Sequence, residues 1–180
     1  MNDPRMPRIA YFVLLLMGIL QWMRVYPLLP ERIASHFAYD GTPNGWQTKD
    51  DFFMVLFVVI ATSAFVAFFL PLLMSIMPDA LINLPNKQYW LAPERRAETH
   101  RFLGAQMGWF GCGPLFVLLY ATWQAIKVNL PHAEHFNSQG MIEVLIGFVI
   151  LAALLTVHMV RHFFALPEFS ASPNPGQEQK

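Results

Sequence analysis

The chain has 180 residues, of which 55% are hydrophobic and only 13% are charged, whereas soluble domains contain about 25% charged residues. The formal net charge is zero, which excludes the strong overall field that draws basic proteins to nucleic acid. The single cysteine, Cys112, excludes an intramolecular disulfide.

Four apolar blocks have the length and composition of membrane-spanning helices, which need about 20 mostly apolar residues. The first block follows Arg5 and Arg8, as in a secretory signal peptide, but no small-residue cleavage site follows it. We therefore interpret it as an uncleaved span and predict an all-α integral membrane protein, a four-helix bundle forming one domain over residues 1–169. The polar tail at 170–180 is expected to be disordered. The spans are predicted at residues 9–29, 52–77, 102–126 and 141–166.

The first loop, between the first two spans, is rich in turn-forming residues. Two Asx-Gly turn dipeptides, at 40–41 and 44–45, flank Pro43, and we expect positive φ at both glycines. The segment 31–37 fits either a short helix or an extended strand. Trp46 follows the second dipeptide, where an aromatic ring anchors a loop at the level of the lipid headgroups. We therefore predict a first loop of fixed shape.

The second loop, between the second and third spans, combines turn residues, interfacial aromatics and arginines. We expect a turn around Pro85, and Pro93 suits the first turn of a helix. This loop is either an interfacial segment leading into the third span or a docking site for a cytoplasmic partner. Its arginines are expected to meet anionic lipid heads. The second-loop motif comprises Asn83, Pro85, Asn86, Tyr89, Trp90, Pro93, Arg95 and Arg96.

The spans carry signals for close packing and bending. Gly104 and Gly108 form a small-xxx-small pair, which permits close approach of helices. Pro114 favours a kink in the third span, and Pro71 is expected to bend the second. Few polar residues lie in the spans, and no charge falls at mid-membrane, which disfavours an ion-coupled transporter.

Basic residues are distributed unevenly between the two sides of the membrane. The amino tail, the second loop and the carboxyl tail hold eight of the twelve lysines and arginines, and the other two loops hold four. Because cytoplasmic loops carry the excess of basic residues, we predict that both termini are cytoplasmic and that the first loop is extracytoplasmic. In this topology Arg24 and Glu143 lie near the outer interface. We expect them to form an ion pair across helices, because a charged side chain in hydrocarbon is costly.

Two histidine-containing loops are expected on the outer side. His36 and Asp40 in the first loop, with His132 and His135 in the third, are residue types that bind zinc or another transition metal. Their spacing matches no metal motif. The alternative is that His36 holds the loop by hydrogen bonds while the third-loop histidines are solvated.

The first loop resembles a known family signature over the run PLLPERIASHFAYDGTPNGWQTK. It is similar to domain of unknown function 1648, a bacterial membrane domain that also forms the amino-terminal part of SdpI-like toxin-immunity proteins. The second loop is similar to the cytoplasmic signature of stand-alone members. The first-loop motif comprises Pro30, His36, Phe37, Asp40, Gly41, Pro43, Gly45, Trp46 and Lys49, with Ile33 among the matching positions.

The resemblance implies a non-enzymatic role. SdpI-like proteins protect a producing cell from a secreted membrane-active peptide, and they recruit a transcriptional repressor to the membrane. We therefore expect a multi-pass protein of the bacterial cytoplasmic membrane without catalytic residues or cofactor, an accessory or immunity-type protein. Residues 30–49 would contact a peptide, lipid or protein partner. Membrane lipids are expected partners, and nucleic acid is not. The sequence is compatible with a homo-oligomer. The rival hypothesis is a metal-binding protein or metal-dependent membrane enzyme that uses the outer histidines.

Overall fold

Four helical segments dominate the computed structural model, which describes residues 3–132 and 134–165. Within these residues, four helices are long and apolar enough to cross a membrane, which confirms the multi-pass prediction. The expected disordered tail lies outside the described residues. The spans are α1 (Arg5–Val25, continued by a 3-10 turn at Tyr26–Leu28), the second span from Lys49 to Ile76, α5 (Pro93–Asn129) and α6 (Ser138–Phe164).

The second span consists of three consecutive helical segments. These are α2 (Lys49–Ala64), a π-helical segment (Phe65–Phe69) and α3 (Leu70–Ile76). Pro71 lacks the N–H that an α-helix would bond to the carbonyl four residues earlier, and the wider π turn accommodates that gap. By contrast, α5 runs through Pro114 as one continuous helix.

Helix α5 is the central element of the bundle. In the most apolar stretch of α5, 50% of the residues are buried inside the protein. The corresponding share is 17% for α1 and for the second span, and 11% for α6. The 37 residues of α5 correspond to about 55 Å at a rise of 1.5 Å per residue, well beyond the hydrocarbon thickness of about 30 Å. The polar first turns of α5 therefore project beyond the membrane and meet the second loop, which contains a 3-10 turn (Asp79–Leu81) and α4 (Lys87–Trp90).

Glycines bring neighbouring helices close to α5. A Cβ added at Gly111 would lie 2.5 Å from Cβ of Ala67 in the π segment, and one at Gly108 would lie 2.9 Å from Pro7. At Gly104 the nearest atom would be 4.0 Å away, so the predicted close approach holds for Gly108 and not for Gly104. Small residues therefore set the distances of α1 and the second span from α5.

The all-α prediction fails in the first loop, which folds as an antiparallel hairpin of β1 (Arg32–Phe37) and β2 (Pro43–Thr48). The extended alternative for segment 31–37 is therefore the correct one. Ile33 is 1% exposed and belongs to an apolar cluster with Phe52 and Ile126. The hairpin thus caps one end of the bundle, because burying Ile33 against α2 and α5 fixes one of its faces.

Candidate functional site

The hairpin contains most of the first-loop motif, and its register explains two motif residues. Ala34 pairs with Trp46, and the register shifts at His36, which faces Gly45. A Cβ at Gly45 would lie 3.0 Å from Cβ of His36 and 3.2 Å from its Nδ1. Glycine therefore leaves the room that the imidazole occupies. Nδ1 of His36 also lies 3.1 Å from Oγ of Ser35.

The hairpin turn forms at the first of the two predicted turn dipeptides. The Ala38 and Gly41 amides close the turn through backbone bonds of 2.8 and 2.9 Å, and Gly41 has a φ of +84°. The second dipeptide, at 44–45, lies inside β2, and Gly45 is not among the described residues with positive φ. The predicted turn there is wrong because strand pairing takes up these residues.

Asp40 stabilises the turn through Thr42. Its Oδ1 accepts bonds from the Thr42 hydroxyl at 2.7 Å and from the Thr42 amide at 3.0 Å. These bonds, the hydroxyl bond foremost, lower the pKa of the Asp40 carboxyl below its ordinary value because they favour the ionised form. Asp40 therefore holds the loop's shape.

Asn129, the last residue of α5, joins the hairpin to the bundle. Its Oδ1 accepts a bond from the Ala34 amide at 2.8 Å, and its Nδ2 donates to the Ala34 carbonyl at 2.9 Å. Nδ2 also donates to the carbonyl of Ala125 at 2.7 Å. The amide side chain thus pairs with both polar groups of Ala34, as a neighbouring strand would, and closes that part of the hairpin edge.

The third loop supports the other side of the hairpin. Phe37 stacks on Phe136 with ring centroids 4.2 Å apart. A Cβ at Gly41 would overlap the Phe136 carbonyl oxygen, so the turn glycine also permits this close contact. The third loop therefore fixes the position of the hairpin's turn.

Charged and polar groups close the base of the hairpin where it enters α2. Nζ of Lys49 lies 2.8 Å from the Glu31 carboxylate. The backbone amide of Lys49 donates to the Glu31 carbonyl at 3.0 Å. Thr48 caps α2 by accepting the Asp51 amide at 3.1 Å. Pro30 lies exposed just before β1. Lys49 therefore has a clear structural function.

Aromatic side chains remain on the outside of this braced hairpin. Tyr39 at the turn is 87% exposed and Trp46 on β2 is 56% exposed. His36 and Pro43 are also exposed. Asp40 and Lys49 are engaged within the loop, whereas the two aromatic rings are available for contact.

The metal candidates do not assemble into a metal centre. Among residues 3–132 and 134–165, no group of three or more histidine, cysteine or acidic side chains is placed to hold a metal ion. Asp40 is bonded by Thr42, whereas His132 and His135 are exposed on the third loop. His36 is exposed and its Nδ1 bonds to the adjacent Ser35, which joins no separate parts of the loop, so the alternative that His36 holds the loop by hydrogen bonds stays a prediction.

The second-loop motif closes the carboxyl end of α6. Nδ2 of Asn86 donates to the Phe163 carbonyl at 3.1 Å, and Nε1 of Trp90 donates to the same oxygen at 3.0 Å. The last carbonyls of a helix have no partner within it, so these donors satisfy an otherwise unpaired group. Asn86 adopts a left-handed φ of +52° in the predicted turn after Pro85.

The two arginines of the second-loop motif are engaged within this part of the chain. Arg95 lies over the Tyr89 ring, 4.0 Å from its centroid, and Arg96 lies 2.5 Å from the Asp79 carboxylate. Pro93 occupies the first turn of α5, as expected, while Asn83 is exposed before the turn. Two of these residues, Asn86 and Trp90, thus join the second loop to α6. The two arginines join the first turn of α5 to the second loop.

The expected pair between Arg24 and Glu143 does not form. The ion pairs within the described part of the chain do not include it, and Glu143 instead accepts a bond from Gln139 at 3.1 Å. Sequence reasoning also missed Asn129 and Phe136, the two residues that hold the hairpin. Only their position in the third loop, opposite the first loop in the predicted topology, could have drawn attention to them.

Comparison with known proteins identifies the hairpin region. No curated protein and no solved structure matches the chain. Residues 12–62, a little more than a quarter of the chain, comprise most of α1, the whole hairpin and most of α2. These residues match the family described as Domain of unknown function (DUF1648), which confirms the resemblance based on the first-loop motif.

Proposed function

We propose that this protein is a non-enzymatic, multi-pass protein of the bacterial cytoplasmic membrane with an SdpI-like accessory or immunity-type role. In this proposal the first-loop hairpin faces the extracytoplasmic side and contacts a membrane-active peptide, the lipid surface or a protein partner. The observation that carries the proposal is that the hairpin has a backbone fixed to the bundle and also two exposed aromatic rings. Tyr39 and Trp46 project from a hairpin that Asn129 and Phe136 hold at the end of the bundle.

Rigid aromatic side chains suit recognition of an amphipathic partner. Tyrosine and tryptophan supply large contact areas with few rotatable bonds, and they combine an apolar ring with a polar group. A peptide that acts on membranes concentrates at the interface, where these rings are also favoured. Because the hairpin is fixed to the bundle, little further ordering is needed on contact, which favours affinity.

The proposed orientation is supported by the charge distribution. The amino terminus of α1, the second loop and the start of α5 lie at one end of the bundle with most of the basic residues, and the hairpin lies at the other. The excess of basic residues favours the cytoplasm for the first of these ends.

Cysteine labelling tests the orientation directly. In a Cys112→Ser background, we expect Tyr39→Cys to react with a membrane-impermeant maleimide in intact cells and Gln88→Cys to react only after lysis. Both positions lie in loops at opposite ends of the bundle. Labelling of Gln88→Cys alone in intact cells would reverse the proposed topology.

Complementation tests the role of the hairpin. We expect a deletion strain to become more sensitive to at least one peptide in a panel of membrane-active peptides, and the wild-type gene to restore resistance. The double variant Tyr39→Ala/Trp46→Ala should not restore it. Trp123→Ala, which removes an aromatic ring that is 44% exposed on α5, is the matched control and should restore it. Full rescue by the double variant would overturn the proposed contact surface.

A further inference from the structure

A charged cavity lies at the end of the bundle opposite the hairpin. It has a volume of about 530 Å³ and lies between the amino terminus of α1 and the projecting first turns of α5. Three arginines line it, together with two acidic residues. Its charged lining residues are Asp3, Arg5, Arg8, Glu98 and Arg101.

A cleft of mixed character adjoins this cavity. The cleft has a volume of about 240 Å³ and shares Arg8 and Arg101 with the charged cavity. It continues between α1, the π segment with α3, and α5, where Phe68, Pro71 and Gly104 line it. The arginine-lined cavity thus adjoins a cleft that has polar residues at Ser75 and His100 and apolar residues between the spans, an arrangement that suits an amphipathic ligand.

The charges of the cavity are unbalanced. Within residues 3–132 and 134–165, Arg5, Arg8 and Arg101 do not appear in any ion pair. Three arginines and two carboxylates leave the lining with a formal excess of one positive charge. Because guanidinium groups bind phosphate oxygens in a bidentate manner, a singly charged phosphate diester would balance the lining.

A histidine in the cleft also lacks a partner. His100 lines the cleft, and both of its ring nitrogens are inaccessible to solvent and without a hydrogen-bond partner in the described part of the chain. Buried polar nitrogens are normally satisfied. Because both nitrogens are closed off from solvent, the ring would have to turn before a ligand oxygen in the cleft could bond to either of them.

We propose that the cavity and cleft form a specific site for an anionic phospholipid with one net negative charge and a hydroxyl-bearing headgroup. The phosphate lies among Arg5, Arg8 and Arg101, and the headgroup hydroxyls donate to the carboxylates. One acyl chain occupies the cleft beside Gly104. A membrane lipid fits better than a soluble anion because the part of the cleft at Phe68, Leu72 and Gly104 is apolar and lies between membrane spans. The site does not depend on the proposed role of the hairpin.

Native mass spectrometry of the full-length protein in detergent tests this site. We expect phosphatidylglycerol to remain bound and phosphatidylethanolamine to bind about tenfold more weakly, because its ammonium group makes the lipid neutral overall, so that it does not balance the one excess positive charge of the lining. Free glycerol phosphate should not compete with phosphatidylglycerol, because it cannot fill the cleft. Equal binding of the two lipids, or full competition by glycerol phosphate, would overturn the proposal.

Two variants with matched controls separate the charged and apolar parts of the site. Arg101→Gln should lower phosphatidylglycerol binding about tenfold, whereas Arg161→Gln removes an exposed arginine on α6 and should not. Gly104→Leu should also lower binding, because a Cβ there meets only Pro71 at 4.0 Å and the longer side chain fills the cleft. Gly147→Leu, on an open face of α6, controls for the added bulk. Binding by Arg101→Gln and Gly104→Leu equal to that of their controls would refute the site.

Discussion

The contact between Asn129 and Ala34 gives the sharpest test of how the hairpin is held. Asn129→Ala removes both bonds to the Ala34 backbone, which is 4% exposed, and leaves its amide and carbonyl unpaired. Each lost bond costs about 0.5–1.5 kcal/mol net, and each buried unpaired group costs about 1–3 kcal/mol. Since these two costs overlap, we expect the free energy of opening the hairpin to fall by about 2–4 kcal/mol.

Hydrogen exchange measured by mass spectrometry in lipid nanodiscs reports this opening. Because each 1.4 kcal/mol is a factor of ten, peptides that cover 32–48 should exchange about thirtyfold to several hundredfold faster in Asn129→Ala. Peptides from the middle of α5 should be unchanged. Asn44→Ala is the matched control, because Asn44 is exposed on the hairpin. Protection of the hairpin within threefold of wild type would show that Asn129 does not hold it.

Three further changes test other parts of the loops. Gly41→Ala should destabilise the hairpin by at least about 1–2 kcal/mol, because a φ of +84° disfavours a side chain and the added methyl group would overlap the Phe136 carbonyl; unchanged exchange at the turn would contradict this. Trp90→Phe should weaken the end of α6 by about 1 kcal/mol, measured as faster exchange near Phe163, with no change at the hairpin. The folded-state pKa of Asp40 is lowered, so its contribution to the turn is present above its ordinary value of 3.8 and is lost as pH falls through the lower folded value. A carboxyl NMR titration with a midpoint at or above 3.8 would contradict this assignment.

The spans could be predicted from the sequence because hydropathy is a local property. A run of about 20 apolar residues marks a helix whatever its neighbours are, and each predicted span overlaps one of the helices described above. The start of α5 needed a second signal. Its first turns are polar, so hydropathy places the start of the span near residue 102, whereas Pro93 predicts the first turn of the helix and α5 begins there.

The strands and their supports could not be predicted in the same way. The segment 32–37 has no regular alternation of apolar and polar residues, and its pairing is irregular around His36, so its periodicity gave no strand signal. Asn44-Gly45 has the composition of a turn but lies in β2, where Gly45 pairs with His36 of β1. Asn129 binds a residue 95 positions away, and no local pattern specifies such a contact.

The two loop motifs share one structural role, which is to contact the ends of helices, and the residues in this role differ from those proposed for recognition. The hairpin contacts the end of α5 and, through Phe136, the segment that leads into α6. The second loop satisfies the last carbonyls of α6 through Trp90 and its neighbour. Both loops therefore contact the ends of the last two spans. Much of each motif consists of residues that make these structural contacts. The exposed rings of Tyr39 and Trp46 lie outside these contacts, so a substitution there should change recognition with little effect on the fold, whereas one at Gly41 should change both.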